Sequence, residues 1–453
     1  MRVAVIGTGY VGLVSGVCLA EKGHQICCVD NDQAKVDKIR SGVPPFFEEG
    51  LEALLKKHGG KNLTVSADLR AAVLDAEMTL IAVGTPFDGK QIDLTFVREV
   101  ARQIGVALRE VKGRHTVVVK STVVPGTTDG PVREILERES GMKAGAGFGL
   151  GMNPEFLTEG QAIEDFLEPD RIVLGGIDAR TVEALDRLYA PFADTPKLRT
   201  NCRTAEMIKY TSNAMLATAI SFANEVGNLC EALGGIDVVD VMAGLHLAAY
   251  LRPFAERAGY VQAPLSSFYD AGCGFGGSCL PKDVKALIVH GERAGSPMPV
   301  LSAVIETNLR QPHKVEALLR KHFPSLQGVR VAVLGLAFKP DTDDIRETPA
   351  LPILRDLLAA GAAVRAYDPA AVPNAKAALK DDRVVFAPSL EACVADAQAI
   401  VLVTRWKEFQ RLPELVAGRT PPPVVVDGRR ALDKSRFARY EGIGLGTPGG
   451  GLP

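Results

Sequence analysis

The sequence predicts an α/β protein in which two doubly wound, parallel sheets are separated by a helix-rich segment. Short apolar runs alternate with helical stretches through residues 1–200, which is typical of a parallel sheet with helices on both faces. Residues 204–233 then pass without a proline and are rich in Ala, Met, Leu and Glu, so they predict one long helix. The opening motif returns near residue 330. The predicted architecture is therefore two Rossmann-like doubly wound domains joined by a helical domain with a long central helix.

The first domain begins with a βαβ unit. Arg2–Ile6 is an apolar run that predicts a buried strand, and the helical stretch after it ends at Gly23. A second strand, Gln25–Val29, leads to Asp30. Three further strands and one helix are predicted in this domain, at Met78–Val83, Thr116–Lys120, Arg171–Leu174 and Leu94–Glu110 respectively.

The central segment is predicted to be helical. Its long helix begins near Thr204 and ends at Gly234-Gly235, because glycine readily adopts the left-handed conformation that follows a helix. Helical sequence continues to about Arg320, with a loop at 259–277.

The C-terminal segment repeats the beginning of the chain. Arg330–Gly335 matches Arg2–Gly7 with one Leu in place of Ile, and a later strand, Ala363–Tyr367, ends at Asp368. The following loop lacks the middle glycine that lets a pyrophosphate approach the backbone, so we expect this domain to bind something other than an ordinary dinucleotide. The glycine-rich tail after Gly442 is expected to be frayed. The predicted domain limits are 1–200, 201–320 and 321–453.

The charge balance argues against a nucleic-acid or membrane-surface role. Lys and Arg number 52 and Asp and Glu number 54, which gives a net charge of −2, whereas binders of nucleic acid or anionic lipid carry a basic excess. The first twenty residues are largely apolar, but Gly7, Gly9 and Gly12 interrupt them at a meaningful spacing, so we do not interpret them as a signal peptide. No apolar run reaches the roughly 18 residues of a membrane span. We therefore expect a cytoplasmic protein with neither nucleic acid nor membrane as a partner.

The cysteines predict neither a disulfide framework nor a metal site. The chain has eight of them and seven histidines, without a CxxC pair or a Cys/His cluster. In a long chain this pattern is typical of reduced thiols. No metal is expected.

A glycine-rich turn indicates a dinucleotide site. The motif Gly7-Thr-Gly9-Tyr-Val-Gly12 follows the first strand and opens the first helix, and Asp30 stands 18 residues beyond it. The glycines let the backbone close on a pyrophosphate at the helix N-terminus, and Asp30 can bind both ribose hydroxyls. Because glycine-rich turns are common, the alternative is a nucleotide fold that binds another ligand or none. Asp30-Asn-Asp32 contains no Arg to hold a 2′-phosphate, so NAD is predicted rather than NADP.

The segment 272–283 indicates a nucleophilic cysteine. Cys279 comes after several glycines and before Lys282 and Asp283, which supply backbone amides and charge partners for a thiolate. Most cysteines are instead small buried hydrophobic residues, and five others lie in apolar helix or strand patterns: Cys18, Cys27, Cys28, Cys230 and Cys393. Cys273 is the serious rival.

Two further pairs of polar residues are candidates. Lys209 and Asn213 are four residues apart on the predicted long helix, so they share one face. Glu155 and Glu159 share a face if their turn is helical. Taken alone, each is more often a solvated surface residue.

Together and in this order, the motifs resemble the UDP-glucose/GDP-mannose 6-dehydrogenase family. The matching segments are GTGYVG, VGTP, KSTVVPGTT, NPEFLTEG, AIEDFLEPDRIVLGG, EMIKYTSN, GFGGSCLPKD and FKPDTDDIRETP. They cover nearly the whole chain, and GFGGSCLPKD with NPEF is highly specific. The resemblance implies an NAD-binding N-terminal domain, a helical dimerisation domain and a C-terminal domain that holds the nucleotide sugar, in a homodimer or higher homo-oligomer.

The resemblance also implies roles for single residues. It makes Cys279 the nucleophile, and the other catalytic residues would be Lys209, Asn213, Asp283, Thr122 and Glu155. NAD would be bound by Gly7, Gly9, Tyr10, Val11, Gly12, Asp30, Lys35, Thr85, Thr122, Glu159 and Arg346. The nucleotide sugar would be bound by Glu155, Phe156, Leu157, Lys209, Asn213, Phe268, Tyr269, Gly272, Gly276, Lys339 and Arg429. The family's arginine before the sugar-binding loop has no match, and Arg252 or Arg257 is its candidate replacement.

The implied reaction is a four-electron oxidation of a nucleotide sugar, UDP-glucose to UDP-glucuronate, through a cysteine thiohemiacetal and thioester. LEPDRIVLGG favours UDP-glucose, whereas RHTVVV, AEMIKYT and SCLPKDVKAL are similar to GDP-mannose enzymes; dTDP-glucose and UDP-N-acetyl sugars stay open. Two other classes are a one-step dehydrogenase of the hydroxyacid or 6-phosphogluconate type and a non-enzymatic nucleotide sensor. Two, one or no NADH per substrate distinguishes the three classes.

Overall fold

The computed structural model describes residues 1–252, 254–255 and 259–446. Arg257, one of the two candidate arginines, and the tail from residue 447 lie outside the described residues. The chain forms two units, Met1–Ser212 and Asn213–Pro453. None of the described helices is both long and apolar enough to cross a membrane.

The first unit is built on an eight-stranded sheet. Its strands are β1 (Arg2–Ile6), β2 (Gln25–Val29), β3 (Leu63–Ser66), β4 (Met78–Ile81), β5 (Thr116–Val119), β6 (Gly149–Met152), β7 (Ile172–Gly176) and β8 (Lys197–Thr200). They lie in the order β3-β2-β1-β4-β5-β6-β7-β8, and all neighbours are parallel except β6 and β7. The first six follow the order 3-2-1-4-5-6, whose direction changes between β1 and β4. A ligand site is expected at the carboxyl ends of these two strands.

Helices cover both faces of this sheet. They are α1 (Tyr10–Glu21), α2 (Gln33–Arg40), α3 (Leu51–His58), α4 (Leu69–Asp75), α5 (Thr95–Leu108), α6 (Arg133–Ser140), α7 (Ala162–Leu167) and α8 (Ala179–Leu188), with a π-helical turn at Thr128–Val132. Along β1, Val3 and Val5 enter one hydrophobic core, whereas Ala4 and Ile6 enter the other. The strand is buried on both faces, which explains why its sequence is continuously apolar.

The second unit begins within the longest helix, α9 (Cys202–Leu233). The Asn201 side chain accepts a hydrogen bond from the Thr204 amide at 2.8 Å, and Gly234 and Gly235 follow the helix with φ of 72° and 67°. The prediction of this helix is confirmed. It is followed by α10 (Val238–His246), β9 (Phe254–Ala255), β10 (Gly259–Tyr260), a 3₁₀ turn (Pro264–Phe268), α11 (Leu280–Arg293), α12 (Pro299–Arg310) and α13 (Lys314–Arg320).

A six-stranded, fully parallel sheet completes this unit. Its strands are β11 (Arg330–Leu334), β12 (Ala363–Tyr367), β13 (Val385–Phe386), β14 (Ala399–Leu402), β15 (Val424–Asp427) and β16 (Tyr440–Gly442). Its helices are α14 (Ala350–Ala359), α15 (Val372–Leu379), α16 (Leu390–Val394) and α17 (Leu412–Val416), with 3₁₀ turns at Lys407–Arg411 and Lys434–Arg436. The order β13-β12-β11-β14-β15-β16 repeats that of the first sheet, so the prediction of two Rossmann-like sheets is confirmed.

The expectation of a frayed tail after Gly442 is wrong for residues 443–446, the part of the tail that the structure describes. Residues 443–446 are packed, since Ile443 is fully buried, Leu445 pairs with Asp237, and the Gly446 amide donates to the Ile236 carbonyl at 2.9 Å. A Cβ at Gly446 would approach the Cys230 carbonyl to 2.5 Å. Here glycine permits a close approach of two backbones, where the sequence suggested only flexibility.

Candidate functional site

In the first unit, the turn between β1 and α1 requires each of its glycines for a different reason. Gly7 has a φ of 102°, and a Cβ at Gly12 would lie 1.9 Å from the Gly7 carbonyl oxygen. At Gly9 a Cβ would meet nothing within 4 Å. Gly9 also caps α1 without a side-chain acceptor, so the first amides of the helix face open space. Such a helix N-terminus binds anions, and the geometry fits the pyrophosphate of a dinucleotide.

Asp30 ends β2 beside this turn. Its carboxylate accepts hydrogen bonds from the Thr8 amide at 2.8 Å, the Thr8 hydroxyl at 2.6 Å and the Asp32 amide at 3.0 Å. Burial alone would raise the pKa of Asp30, but these bonds and the charge of Lys35 hold it below its usual value. Asp30 is therefore ionised at neutral pH. One of the roughly four acceptor positions of a carboxylate is left for a ribose hydroxyl.

Glu48 organises the other side of this site, and no motif pointed to it. Its carboxylate accepts hydrogen bonds from the Tyr10 hydroxyl and from the amides of Gly160 and Ala162, the last two at 2.7 Å. Burial, and then Glu48, raises the pKa of Tyr10. Glu48 thereby holds the first residue of α1 against the turn that carries Glu159. Its partners lie 38, 112 and 114 residues away in sequence, so no local pattern could reveal them.

The loops after β4 and β5 are tied to each other. The Thr85 hydroxyl donates to the Thr122 carbonyl at 2.7 Å. Farther along the second loop, the buried Glu206 of α9 accepts hydrogen bonds from the amides of Gly126 and Thr128 at 2.6 and 2.8 Å. Burial raises the pKa of Glu206 to about 7. Through its two hydrogen bonds, Glu206 anchors the loop that carries Thr122. No motif in the sequence pointed to Glu206.

Glu155 and Lys209 form a buried ion pair. The ammonium lies 3.0 Å from the carboxylate, and the two side chains are only 4% and 6% exposed for Lys209 and Glu155 respectively. Glu155 also accepts from the Leu157 amide at 2.6 Å. Burial would raise the pKa of Glu155, but the Lys209 charge and this hydrogen bond lower it below its usual value. Two opposite charges buried together are not a solvated surface pair, so they are candidates for chemistry.

An aromatic ring lies beside this ion pair, but the predicted helical turn that would place Glu155 and Glu159 on one face is not formed. The Phe156 ring lies 5.6 Å from the Lys209 ammonium and 3.9 Å from the Arg171 guanidinium. Residues 153–158 are not helical, and α7 begins only at Ala162. Glu155 and Glu159 therefore do not share a helical face.

In the second unit, Cys279 differs from the other cysteines. All eight lie among the described residues; Cys279 is exposed, whereas six are buried and Cys27 is intermediate. Cys279 is the N-cap residue of α11, and its sulfur lies 3.5 Å from the Ser278 hydroxyl. A helix N-terminus favours the ionised thiolate. The rival Cys273 is fully buried, donates to the Val403 carbonyl at 3.8 Å, and has its pKa raised by burial.

Asn213 and Asp283 also meet in the second unit. The Asn213 amide donates to one carboxylate oxygen of Asp283 at 2.6 Å, and Lys282 donates to the other at 2.5 Å. Both Asn213 and Asp283 are buried. Asp283, which is four residues beyond Cys279 on the same helix, thus holds the Asn213 side chain in one orientation.

The loop before Cys279 is clamped by amide side chains that the sequence analysis missed. Asn224 accepts from the Gly272 amide at 2.7 Å, and Gln311 donates to the Gly272 carbonyl at 2.9 Å. Asn308 makes the equivalent pair of bonds to Phe275, at 2.7 and 3.0 Å. These amides stand in unremarkable helical sequence. Only the tertiary structure brings them to the loop.

The remaining predicted substrate residues surround this loop. The Arg429 guanidinium donates to the Gly274 carbonyl at 2.7 Å, and the Tyr269 ring contacts Phe222 with centroids 6.3 Å apart. A Cβ at Gly276 would approach the Glu347 carbonyl oxygen to 2.3 Å. Arg346, which was predicted to bind NAD, has its guanidinium paired with Asp344 at 2.7 Å, and its backbone carbonyl accepts a hydrogen bond from the Gly277 amide at 2.8 Å. Phe268 and Lys339 are both partly buried.

The second sheet does not reproduce the glycine-rich turn of the first. Gly335 after β11 has a φ of 94°, like Gly7, but Ala337 replaces the middle glycine and is fully buried. The segment 335–349 separates β11 from α14. A helix N-terminus therefore does not follow the strand directly, and the pyrophosphate geometry of the first sheet is not repeated.

Comparison with known proteins assigns all three parts of the chain to one family. Residues 1–193, 203–310 and 332–434 match the NAD binding, central and UDP binding domains of the UDP-glucose/GDP-mannose dehydrogenase family. The first match agrees with the turn and acid described above, and NAD is the cofactor. The glycine turn after β1 and the carboxylate of Asp30 fit the pyrophosphate and a ribose hydroxyl of NAD respectively.

The relatives are similar over most of their length. A UDP-glucose 6-dehydrogenase of Pseudomonas aeruginosa is 42% identical, covering 98% of this chain and 97% of its own. A GDP-mannose 6-dehydrogenase of the same organism is 40% identical over 81% of each chain. The structure of a UDP-glucose dehydrogenase from Pyrobaculum islandicum aligns with a TM-score of 0.87, at 38% identity, over 98% of this chain and 97% of that one.

Proposed function

Since the chain belongs to the UDP-glucose/GDP-mannose dehydrogenase family, we propose that it oxidises UDP-glucose to UDP-glucuronate with NAD. The UDP-glucose relative matches nearly end to end, whereas the GDP-mannose relative matches four-fifths of the chain. That difference favours UDP-glucose. The observation that carries the mechanism is the exposure of Cys279 at the N-terminus of α11 while the rival Cys273 is buried.

The reaction converts a primary alcohol into a carboxylate and removes four electrons. When bound, NAD accepts one hydride in each of two successive oxidations, so two NAD are consumed with one water. After the first oxidation, the Cys279 thiolate adds to the aldehyde carbon and forms a thiohemiacetal. The second oxidation turns this adduct into a thioester, and water then cleaves the carbon–sulfur bond to give the acid and the thiol.

The polar residues supply the proton and charge chemistry of these steps. Lys209 stabilises the oxyanion that develops on the substrate oxygen, and Asn213 donates a hydrogen bond to it. Asp283 and Thr122 position a water for proton transfer. Glu155 is the base that activates water for thioester hydrolysis, and its lowered pKa keeps it in the ionised form that this role requires at neutral pH.

The binding residues divide by ligand. NAD is held by the turn of Gly7, Gly9 and Gly12, by Asp30, and by further residues of the two units: Tyr10, Val11, Lys35, Thr85, Thr122, Glu159 and Arg346. The nucleotide sugar is held by Glu155 with the adjoining Phe156 and Leu157, by Lys209 and Asn213, and by six residues of the second unit: Phe268, Tyr269, Gly272, Gly276, Lys339 and Arg429. We retain 1–200, 201–320 and 321–453 as the NAD-binding, dimerisation and nucleotide-sugar-binding domains.

We also propose a homodimer through α9. Met207, Met215, Phe222 and Leu229 recur at intervals of seven or eight residues, and each is 41–58% exposed. An apolar stripe with this period is typical of a helix that packs against another helix. The stripe supports pairing of α9 with its copy in a second chain. Sedimentation of the purified protein at micromolar concentration as an active monomer would contradict it.

The deciding experiment counts NADH per nucleotide sugar. The purified protein is incubated with limiting UDP-glucose, dTDP-glucose, GDP-mannose or a UDP-N-acetyl sugar and excess NAD. We expect two NADH and one acid per UDP-glucose. One NADH with an aldehyde product would indicate a one-step dehydrogenase, binding without NADH a nucleotide sensor, and preference for another sugar a different substrate within the family.

A further inference from the structure

Lys120 is a buried cation in the first unit to which the chemistry above gives no role. It directly follows β5 and is 2% exposed. Its ammonium donates to the Asn153 side-chain oxygen at 2.9 Å and lies 3.5 Å from the Tyr189 hydroxyl. Tyr189 donates to the same Asn153 oxygen at 2.5 Å. Both partners are uncharged, so these hydrogen bonds do not neutralise the charge of Lys120.

The titratable groups around Lys120 come from three other elements. Glu155 lies in the loop after β6, Lys209 on α9 and Tyr189 at the end of α8. Burial has the largest effect on Lys120, and together with Lys209 it lowers the pKa of Lys120 to about 8, against the opposing effect of Glu155. Burial raises the pKa of Tyr189, which keeps that neighbour neutral. Glu155 stands two residues after Asn153, to which Lys120 is hydrogen-bonded, and its negative charge favours the protonated form of Lys120.

The charge of Lys120 in turn affects the protonation of Glu155. Burial pushes Glu155 toward its protonated form, and Lys209, the Leu157 amide and Lys120 oppose this. In the proposed reaction Lys209 interacts with the substrate oxygen. While it does so, Glu155 loses part of its strongest counter-charge, and a buried carboxylate without one takes up a proton. A protonated Glu155 cannot act as a base.

We propose that Lys120 is a positioning residue: its charge keeps Glu155 ionised while Lys209 is engaged with substrate, and its hydrogen bond orients Asn153 at the start of the Asn153-Pro-Glu155 segment. This inference rests on the proposed function, because it takes Glu155 as the base for thioester hydrolysis. It also gives a reason for a buried lysine, which otherwise destabilises the fold compared with an apolar side chain of the same size.

The test is the pH profile of acid production by Lys120→Gln. Glutamine removes the charge but keeps a donor for Asn153. We expect the acid limb of the kcat profile to move up by about one pH unit, so that activity falls more at the acid end of the profile than at pH 8, while KM for NAD is unchanged. Lys120→Arg keeps the charge and should leave the acid limb near its wild-type position. A purely structural role would instead lower kcat equally at every pH.

Glu155→Gln separates failure of this inference from failure of the proposed function. If Glu155→Gln abolishes the acid limb and Lys120→Gln leaves it unmoved, Lys120 has no effect on the base and the inference is overturned while the function stands. If Glu155→Gln retains wild-type acid production, Glu155 is not the base, and the inference about Lys120 falls while the proposed oxidation of UDP-glucose stands. If the wild-type protein produces no acid from UDP-glucose, the proposed function itself falls.

A reciprocal variant covers the case in which Lys120→Gln does not fold. In Lys209→Gln, Lys120 is the remaining cation, and the inference requires Glu155 to stay ionised at pH 7. The carboxylate infrared band, identified by its loss in the Glu155→Gln, Lys209→Gln double variant, reports this directly. A protonated Glu155 at pH 7 would overturn the inference.

Discussion

Asp30 and Asp368 stand at the same position of two different sheets, directly after the second strand of each, and their carboxylates differ in the number of hydrogen bonds they accept. Asp30 accepts three, whereas Asp368 accepts five, from the amides of Leu336, Ala337, Ala370 and Ala371 and the indole of Trp406. Asp368 is therefore saturated by its own chain. Asp30 retains capacity for a ligand, which agrees with the placement of NAD on the first sheet.

Replacing Asp30 with Asn should weaken the preference for NAD over NADP. The carboxylate repels a 2′-phosphate, and one charge pair at this distance contributes on the order of 1 kcal/mol or more, so we expect the ratio of kcat/KM for NAD to that for NADP to fall by about tenfold. Asp32→Asn is the matched control, because Asp32 is a helix cap two residues away and should leave the ratio unchanged. Equal ratios for wild type and Asp30→Asn would refute the assignment.

Replacing Cys279 with Ser should abolish steady four-electron turnover. A serine hydroxyl is barely ionised at neutral pH and a far weaker nucleophile than a thiolate, so acid production should fall by orders of magnitude, on the scale of about 10³ or more. NAD and UDP-glucose should still bind, and a slow first oxidation or a covalent adduct should be detectable by mass spectrometry.

Cys273→Ser is the control for this prediction. Cys273 is buried and hydrogen-bonded to a backbone carbonyl, and serine can make the same bond. We expect a mild effect on activity. A dead Cys273→Ser beside an active Cys279→Ser would show that the other cysteine is the nucleophile.

Glu206 should make stability fall as the pH rises toward neutrality. Its pKa is about 7 in the folded protein against an ordinary value of 4.5. A raised pKa means that its contribution to folding is fully present below about pH 4.5 and is lost as the pH rises through 7. Glu206→Gln removes this titration, so its free energy of unfolding should change less than that of wild type between about pH 5 and 7.5, by on the order of 2 kcal/mol.

Urea unfolding at the two pH values measures this difference. Glu134→Gln on α6 is the control, because Glu134 is exposed and should leave the pH dependence as in wild type. Parallel pH dependences for wild type and Glu206→Gln would argue that Glu206 is ionised in the folded state without cost.

Gly276→Ala should damage substrate binding and spare NAD binding. The added methyl group would lie 2.3 Å from the Glu347 carbonyl oxygen, so the loop must shift, at a cost of about 1–3 kcal/mol. We expect KM for the nucleotide sugar to rise at least about tenfold with an unchanged NAD dissociation constant by fluorescence titration. Gly244→Ala, where a methyl group meets nothing within 4 Å, should be neutral. A normal KM in Gly276→Ala would show that the loop does not contact the sugar nucleotide.

The sequence predicts the elements whose signal is local. The apolar run before Gly7 and the acid after the second strand are contiguous patterns, and both repeat near Gly335 and Asp368, so both sheets could be predicted. The strands β6 and β8 gave no such signal. One contains two glycines and the other, Lys197–Thr200, is a polar edge strand with an exposed middle.

In the candidate site, too, residues with a local sequence signal could be predicted and the others could not. Cys279 and Asp283 could be found because a glycine-rich segment marks them. Glu48 and Asn224 could not, because each reaches partners that are distant in sequence. Gly160 is 112 positions after Glu48, and Gly272 is 48 positions after Asn224. Hydrogen bonds between distant segments leave no period or spacing in a single sequence.

The segment that follows β16 has a consequence for how the second unit comes apart. Leu445 pairs with Asp237, and the Asp237 carboxylate accepts hydrogen bonds from Arg430 and Lys434 at 2.7–2.8 Å. If the helices separated from the sheet, the Asp237 carboxylate and the buried Arg430 guanidinium would each lose their counter-charge, which is unfavourable. The helical layer and the second sheet therefore unfold together as one cooperative unit. A fragment that starts at residue 321 would contain the sheet of this unit and lack its helical layer.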